Sequence, residues 1–172
     1  MVIRKFLAVG FSILVAGAAL GIPVSASASP ALSGFTCGTQ SGGSDGVVAP
    51  ITAVRVGHHL GFDRFVVEFS GSVVPGFRAI PKSSATFYSD PFGQPVILEG
   101  TAGIKLVMHS TSMHGTYVGP ADFDPEFPQL AEARSIGDFE GFVTWGLSLE
   151  RQSCKRIFTL SSPSRLVVDV PN

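Results

Sequence analysis

Apolar and polar residues alternate along much of this chain in short runs that Gly and Pro interrupt. From residue 64 to residue 69 every second side chain is a large apolar one, and Val143, Trp145 and Leu147 repeat that period later on. A period of two is typical of a β-strand with one buried face. The pattern predicts strands at residues 52–56, 64–69, 96–98, 104–109, 142–149, 155–160 and 165–170, with one or two more within 77–88.

The chain shows no convincing helical period, apart from a possible turn around residues 130–133. Many short strands separated by Gly and Pro turns indicate an all-β fold. We therefore expect a two-layer β-sandwich or an open barrel of short, mostly antiparallel strands. The longest irregular stretch is residues 110–128, which contains Pro120, Pro125 and Pro128. A loop of this length in a compact domain is often functional.

The first residues have the parts of a secretory signal. Arg4 and Lys5 precede an apolar run to about residue 20, and small residues around Ala28 offer a cleavage site. We interpret residues 1–28 as a signal peptide, 29–46 as a flexible Ser/Gly-rich lead-in and 47–172 as the β domain. No Cys stands directly after the apolar run, where a lipoprotein signal requires one, so we expect no lipid anchor. The signal peptide predicts an extracytoplasmic protein. No later stretch has membrane length, so we expect no stable membrane insertion after cleavage.

Charge narrows the possible partners. Without Arg4 and Lys5, ten basic residues face thirteen acidic ones, giving a net charge of −3. Binding to a nucleic-acid backbone relies on clustered Lys and Arg, so the composition argues against a nucleic-acid partner. The same balance disfavours an anionic polymer or a membrane surface. Contacts with a glycan or with another protein fit this charge better.

Two cysteines, Cys37 and Cys154, remain after signal cleavage. In an oxidising compartment such a pair favours a disulfide. The alternative is that Cys154 is a nucleophile activated by His114, as in the L,D-transpeptidases that crosslink cell walls. In that family the Cys follows Gly and the His lies much closer to it, whereas Ser153 precedes Cys154 here.

The sequence gives little support for a metal site or for a cofactor. The adjacent His58 and His59 point to opposite faces of an extended chain, so they chelate poorly together. His109 and His114 lack the tight pairing of structural zinc sites. We predict no metal site, no cofactor and no catalytic residue.

Aromatic residues are the candidates for ligand contact, because their faces suit the apolar C–H surfaces of sugars. Tyr117 in the Pro-rich loop, Tyr88 and Trp145 form the candidate binding set. Trp145 shares a strand face with Val143 and Leu147, which also fits a place in the core. The core is expected to hold the phenylalanines at positions Phe62, Phe65, Phe69, Phe139, Phe142 and Phe158.

Three ordered segments resemble a known family. Residues 54–69 read VRVGHHLGFDRFVVEF, residues 139–147 read FEGFVTWGL, and residues 158–170 read FTLSSPSRLVVDV. Together they resemble the AMIN-like domain of secreted and lipoprotein-type actinobacterial envelope proteins. The last segment is also similar to the end of the broader AMIN domain, which accompanies cell-wall amidases and secretins.

The resemblance implies a β-sandwich that localises a protein in the cell envelope, in some relatives by binding peptidoglycan. It carries no catalytic activity over to this chain. Arg165 and Asp169 match the closing motif, and we expect them to hold the last strand in its sheet. The function that follows is a secreted, non-catalytic, envelope-associated binding domain. Its expected partner is a cell-wall polymer, peptidoglycan or another component, or an envelope protein. The alternative is a small cell-wall-modifying enzyme that uses Cys154 with His114.

Overall fold

The computed structural model describes residues 34–172, so the interpretation of residues 1–28 as a signal peptide lies outside the described residues. Within this range the chain forms strands and no helix. The strands are β1 (Gln40–Gly42), β2 (Ile51–His59), β3 (Phe62–Phe69), β4 (Phe77–Lys82), β5 (Thr86–Tyr88), β6 (Pro95–Ile97), β7 (Ala102–His109), β8 (Asp122–Phe123), β9 (Leu130–Phe139), β10 (Phe142–Leu149), β11 (Arg156–Leu160) and β12 (Ser164–Val170).

Two antiparallel sheets form the body of the domain. One has six strands in the order β1-β4-β7-β10-β9-β8, and the other has four in the order β11-β12-β3-β2. A small third sheet consists of the β5–β6 hairpin alone. None of these sheets closes on itself, so of the two predicted architectures the structure is the β-sandwich. The all-β prediction is confirmed.

The two main sheets share one hydrophobic core. The alternating residues of β3 and β12 on one side meet those of β7 and β10 on the other. Phe65 lies 5.3 Å from Trp145, centroid to centroid, and joins the two layers. The innermost side chains from both sheets are Phe65, Val67, Phe69, Leu166, Val168, Ile104, Leu106, Met108, Val143, Trp145 and Leu147. This is the packing that the period of two predicts.

One element differs in kind from the sequence prediction. Residues 130–133, where the sequence suggested a possible helical turn, begin β9, a strand of ten residues. β9 pairs with β10 on one side and with β8 on the other, and its register with β10 shifts at Thr144/Trp145 and at Ser148/Leu149. Those bulges break the regular alternation, and the pairing on both edges outweighs the helix propensity of Leu, Ala, Glu and Arg.

The segment before the domain joins both sheets. Thr36 pairs with Lys155 next to β11, while Gln40–Gly42 adds strand β1 to the edge of the six-stranded sheet at β4. Cys37 and Cys154 form the expected disulfide. Residues 36–44, which fall within the Ser/Gly-rich segment, therefore cross the side of the sandwich from one sheet to the other.

Candidate functional site

The outer face of the six-stranded sheet is divided by the β5–β6 hairpin, which packs on one half of it. Phe87 lies over two glycines in neighbouring strands: a Cβ atom would stand 2.7 Å from its ring at Gly103 and 3.1 Å at Gly146. At Gly137 a Cβ atom would lie 2.8 Å from Asp90. Three glycines, Gly103, Gly137 and Gly146, thus form the surface on which the hairpin packs, which we call the hairpin seat. The small core beneath it consists of Ala85, Phe87, Leu98 and Ile136.

The other half of this face is uncovered and concave. Two depressions, of about 600 and 330 Å³, lie side by side and share Val107 and Phe142 in their walls. We call the two together the outer cleft. Ligand sites are typically concave, with an apolar lining and a few convergent polar groups. The outer cleft has this composition.

The larger depression lies on the β1 side. Ser41, Arg78 and Val107 are consecutive partners across β1, β4 and β7, so they form its floor. Arg78 has no salt bridge to any other described residue and is exposed. The imidazole of His109 stands 3.4 Å from the exposed carboxylate of Asp45 at the rim. A cationic side chain and a hydroxyl therefore face this depression beside apolar surface.

The smaller depression lies against the β5–β6 hairpin. Lys105 Nζ is 3.4 Å from Asp90 Oδ2, and the Thr144 hydroxyl donates to the same oxygen at 3.0 Å. The backbone N–H of Asp90 donates to the Ile136 carbonyl, which fixes the loop on the sheet. This depression therefore presents a pre-arranged set of donors and acceptors.

Phe142 forms the ridge between the depressions, with 51% of its surface exposed, and its strand partner Phe139 is 47% exposed. The expectation that these two phenylalanines belong to the core is wrong. Phe65 and Phe69 are buried, whereas Phe62 and Phe158 are half-buried on the outer face of the other sheet. Strand parity explains Phe142: because Val143 points inward, its neighbour must point outward.

The three aromatic residues of the candidate binding set occupy three separate places. Trp145 is fully buried in the core beside Phe65, so no ligand reaches it in this structure, and the set is corrected by its removal. Tyr88 is 53% exposed on the β5–β6 hairpin, on the side away from the sheet. Tyr117 is half-buried, and burial raises the pKa of its phenol. The structure does not bring these residues together.

Tyr117 does border a groove in the loop from residue 110 to residue 128. This groove has a volume of about 360 Å³ and is also lined by Met113, His114 and Asp138. The Tyr117 hydroxyl donates to the Pro120 carbonyl at 2.6 Å, which holds the ring along the loop. The loop groove is smaller than the outer cleft, and Tyr117 is the one aromatic side chain other than a histidine in its lining.

The model of the AMIN-like domain matches residues 49–172, which include both main sheets from β2 onward and the β5–β6 hairpin. This chain belongs to the AMIN-like domain family. Comparison with curated proteins and comparison with solved structures give no match.

A thiol mechanism is not available to this AMIN-like domain as it stands. Cys154 is bonded to Cys37, and residues 34–172 contain no free cysteine. A nucleophilic cysteine must be a thiolate, which a disulfide sulfur is not. The cysteine-and-histidine alternative therefore lacks its nucleophile.

His114 belongs instead to a polar cluster that resembles a serine hydrolase triad in composition alone. Its Nδ1 is 3.1 Å from the Ser112 hydroxyl and 2.9 Å from Asp138 Oδ2. In a working triad the serine and the carboxylate bind opposite nitrogens of the imidazole. Here both bind one nitrogen, and Asp138 also accepts the backbone N–H of Met113 at 2.8 Å. The cluster anchors the loop of the AMIN-like domain.

Across residues 34–172, no group of three or more His, Cys, Asp or Glu side chains is arranged to hold a metal ion. None of the described residues forms an apolar helix of membrane-spanning length. The Cys37–Cys154 disulfide fits an oxidising environment.

Proposed function

We propose that this protein is an extracytoplasmic, non-catalytic binding module that holds a cell-wall glycan, peptidoglycan first among them, in the outer cleft. The first 28 residues would direct its export as a signal peptide, and residues 47–172 would act as the binding domain. Membership of the AMIN-like family and the disulfide support the envelope location. An envelope protein that carries such a glycan would bind to the outer cleft in the same way.

The observation that carries the proposal is the position of Phe142. Its ring is half exposed on a sheet face whose other half is covered, and polar groups stand on both sides of it. A sugar ring has an apolar C–H face and a rim of hydroxyls. Phe142 offers a π surface to that face, while Arg78 and the Lys105–Asp90 pair offer hydrogen bonds to the rim.

The shape of the outer cleft supports recognition of neighbouring units along one glycan strand. The two depressions lie side by side and share a ridge, so neighbouring units of one glycan strand could occupy both. The floor consists of strand residues held by ladder hydrogen bonds, and the loop at Asp90 is tied to the sheet. A rigid site loses little conformational entropy when it binds.

Co-sedimentation with purified peptidoglycan sacculi tests this proposal. The mature protein, residues 29–172, is expected to pellet with sacculi and to be released by soluble glycan fragments. Phe142→Ala should weaken that binding roughly tenfold, as expected for loss of a stacking contact in a desolvated site. Phe92→Ala is the matched control, because Phe92 is exposed and lines neither depression.

Three outcomes decide the matter. Weaker binding for Phe142→Ala with unchanged binding for Phe92→Ala supports the outer cleft. Unchanged binding for Phe142→Ala together with a loss for Tyr117→Ala would move the site to the loop groove. If the mature protein stays in the supernatant at every salt concentration, the proposed wall-binding function is wrong.

A further inference from the structure

The outer face of the four-stranded sheet carries an ordered array of arginines. Strand register places Arg156, Asp169 and Arg64 side by side across β11, β12 and β3. Four positions further along the strands, Leu160, Arg165 and Glu68 form a parallel row. We call this surface the arginine face, and its outward positions are Arg55, Phe62, Arg64, Val66, Glu68, Arg156, Phe158, Leu160, Arg165, Val167 and Asp169.

Charge is segregated onto this face. Residues 34–172 contain ten arginines and lysines, and four of them lie here with only two carboxylates, Glu68 and Asp169. The other six basic side chains share the rest of the described chain with eleven acidic ones. The face is therefore positive by two charges while the remainder is negative by five. The net charge of the chain, on which the sequence argument against an anionic polymer relied, conceals this separation.

The central arginines are held in fixed positions. Arg64 donates from Nε and Nη2 to both oxygens of Asp169, at 2.7 and 3.0 Å, and Arg156 donates to Asp169 Oδ2 at 2.7 Å. Asp169 is fully buried beneath them, so one carboxylate neutralises two guanidinium groups incompletely. Among the described residues, Nη1 of Arg64 and of Arg156 makes no hydrogen bond. Planar donors of this kind match carboxylate oxygens.

Apolar surface lies between these charges. Arg64 Cζ stands 4.9 Å from the centroid of the Phe62 ring and 5.4 Å from that of the Phe158 ring, both within cation–π distance. Phe158 is half-buried, and the neighbouring Leu160 is 38% exposed. The outward side of an exposed strand ordinarily carries polar residues, so this mixture of rings and guanidinium groups departs from a purely solvated face.

We infer that the arginine face is a second binding surface, on the opposite side of the sandwich from the outer cleft, for a polysaccharide whose repeat carries a carboxylate. The carboxylates of the polysaccharide meet Arg165 and the free Nη1 groups of Arg64 and Arg156. They also meet Arg55, whose Nη2 is at the same time paired with Glu68 Oε2 at 2.5 Å. The sugar-ring faces lie on Phe158 and Leu160. Charge complementarity selects the acidic polymer, because a positive face on a negative protein attracts polyanions there and repels them elsewhere.

A pair of probes tests this inference on the mature protein. Polygalacturonate oligomers supply carboxylates on pyranose rings, and the same oligomers after carboxyl reduction are neutral but otherwise alike. Binding is measured by microscale thermophoresis at low and at physiological salt. The acidic oligomers are expected to bind and to weaken as salt rises, and the reduced oligomers are expected not to bind.

Matched double variants locate the surface. Arg55→Gln with Arg165→Gln removes two charges from the arginine face without touching the Asp169 cluster. Lys82→Gln with Arg151→Gln removes two charges elsewhere. The first double variant should weaken binding roughly tenfold, as expected for two partly exposed charge contacts, and the second should change it less than about twofold. Unchanged thermal unfolding of each variant shows that the fold is intact.

Equal losses in both double variants would overturn the inference, since attraction would then follow total charge. It is also overturned if inorganic polyphosphate of the same charge binds as tightly as polygalacturonate, because the rings would then contribute nothing. Phe142 lies on the other sheet, so Phe142→Ala should leave the binding of polygalacturonate unchanged. The arginine face and the outer cleft can therefore succeed or fail separately.

Discussion

Phe87 and Gly103 are in direct contact, and the seat of the β5–β6 hairpin depends on the missing side chain of the glycine. A Cβ atom at Gly103 would lie 2.7 Å from the ring of Phe87 and 2.8 Å from the carbonyl oxygen of Leu147. The carbonyl belongs to the adjacent central strand and cannot move aside. We predict that Gly103→Ala lowers the free energy of unfolding by about 1–3 kcal/mol, the usual cost of overpacking. Urea denaturation measures it.

Gly57 provides the control for that substitution. It also lies within a strand, β2, and the nearest atom to a Cβ there is His59 Nε2 at 3.5 Å, an ordinary contact. Gly57→Ala should change stability by less than about 0.5 kcal/mol, or raise it slightly through the lower entropy of the unfolded chain. If both variants lose the same stability, steric overlap at the hairpin seat is not the cause.

The strands with regular alternation could be predicted from the sequence, and those without it could not. β3, β7, β10 and β12 each bury every second residue against the other sheet, so their pattern reports their position. β9 was missed for a physical reason: its bulges shift the alternation, and buried Glu132 makes it look like a solvated helix. Register irregularities of this kind are determined by the neighbouring strand.

The candidate site was less accessible to sequence reasoning than the fold. A glycine in a strand does not reveal which hairpin will pack on it, so the division of the outer face could not be seen at Gly103 or Gly146. The parity of Val143 and Trp145 did contain the signal that Phe142 points outward. Composition concealed the arginine face because two of its arginines lie on β2 and β3, early in the domain, and the other two on β11 and β12, at its end. Only the pairing of β3 with β12 groups them.

Asp63 is a buried junction between distant parts of the chain, and its replacement should be costly. Its carboxylate accepts hydrogen bonds from the backbone N–H groups of Gln129 and Leu130 at 2.8 and 2.9 Å. It also contacts His58 Nδ1 at 2.7 Å and Asn172 Nδ2 at 2.8 Å. Asp63→Asn is expected to lower the free energy of unfolding by about 2–4 kcal/mol, measured by urea denaturation at pH 7.

The carboxylate of Asp63 also makes the stability of the fold depend on pH. Burial alone would raise the pKa of Asp63, but the hydrogen bonds from His58, Leu130, Asn172 and Gln129 outweigh it and hold the pKa below its ordinary value of 3.8. The contribution of Asp63 to stability is therefore complete above that pH and is lost as the pH falls through the folded-state pKa. The wild type should lose more stability than Asp63→Asn between pH 4 and pH 2. Parallel pH profiles would contradict this.

The Cys37–Cys154 disulfide closes a loop of 117 residues and holds the segment that forms one wall of the outer cleft. The double variant Cys37→Ser with Cys154→Ser should lower the free energy of unfolding by about 2–4 kcal/mol. Reductant should lower the stability of the wild type towards that of the variant and leave the variant unaffected. A wild type that is insensitive to reductant under partly denaturing conditions would show that the bridge does not stabilise the fold.

Lys155, the neighbour of Cys154, is fully buried, and its ammonium group donates to the Gly38 carbonyl. Burial lowers its pKa from 10.5, because the charged form loses its hydration. Between the lowered pKa and 10.5 the unfolded chain binds more protons than the folded one, so stability due to this group rises with pH through that window. Lys155→Met removes the buried charge and the titration together. It should be at least as stable as the wild type at neutral pH, and the difference between them should narrow as the pH approaches 10.

Lys82→Met is the control for that measurement, since Lys82 is partly exposed on β4. The free energy of unfolding of Lys82→Met should follow the pH profile of the wild type, because the side chain it replaces is partly exposed to solvent and not buried. If Lys155→Met and the wild type also keep a constant difference from pH 7 to pH 10, then the Lys155 ammonium group is not desolvated in solution. The strand bridge between Thr36 and Lys155 would then have to open enough to admit water, and amide hydrogen exchange at these two residues would detect that opening.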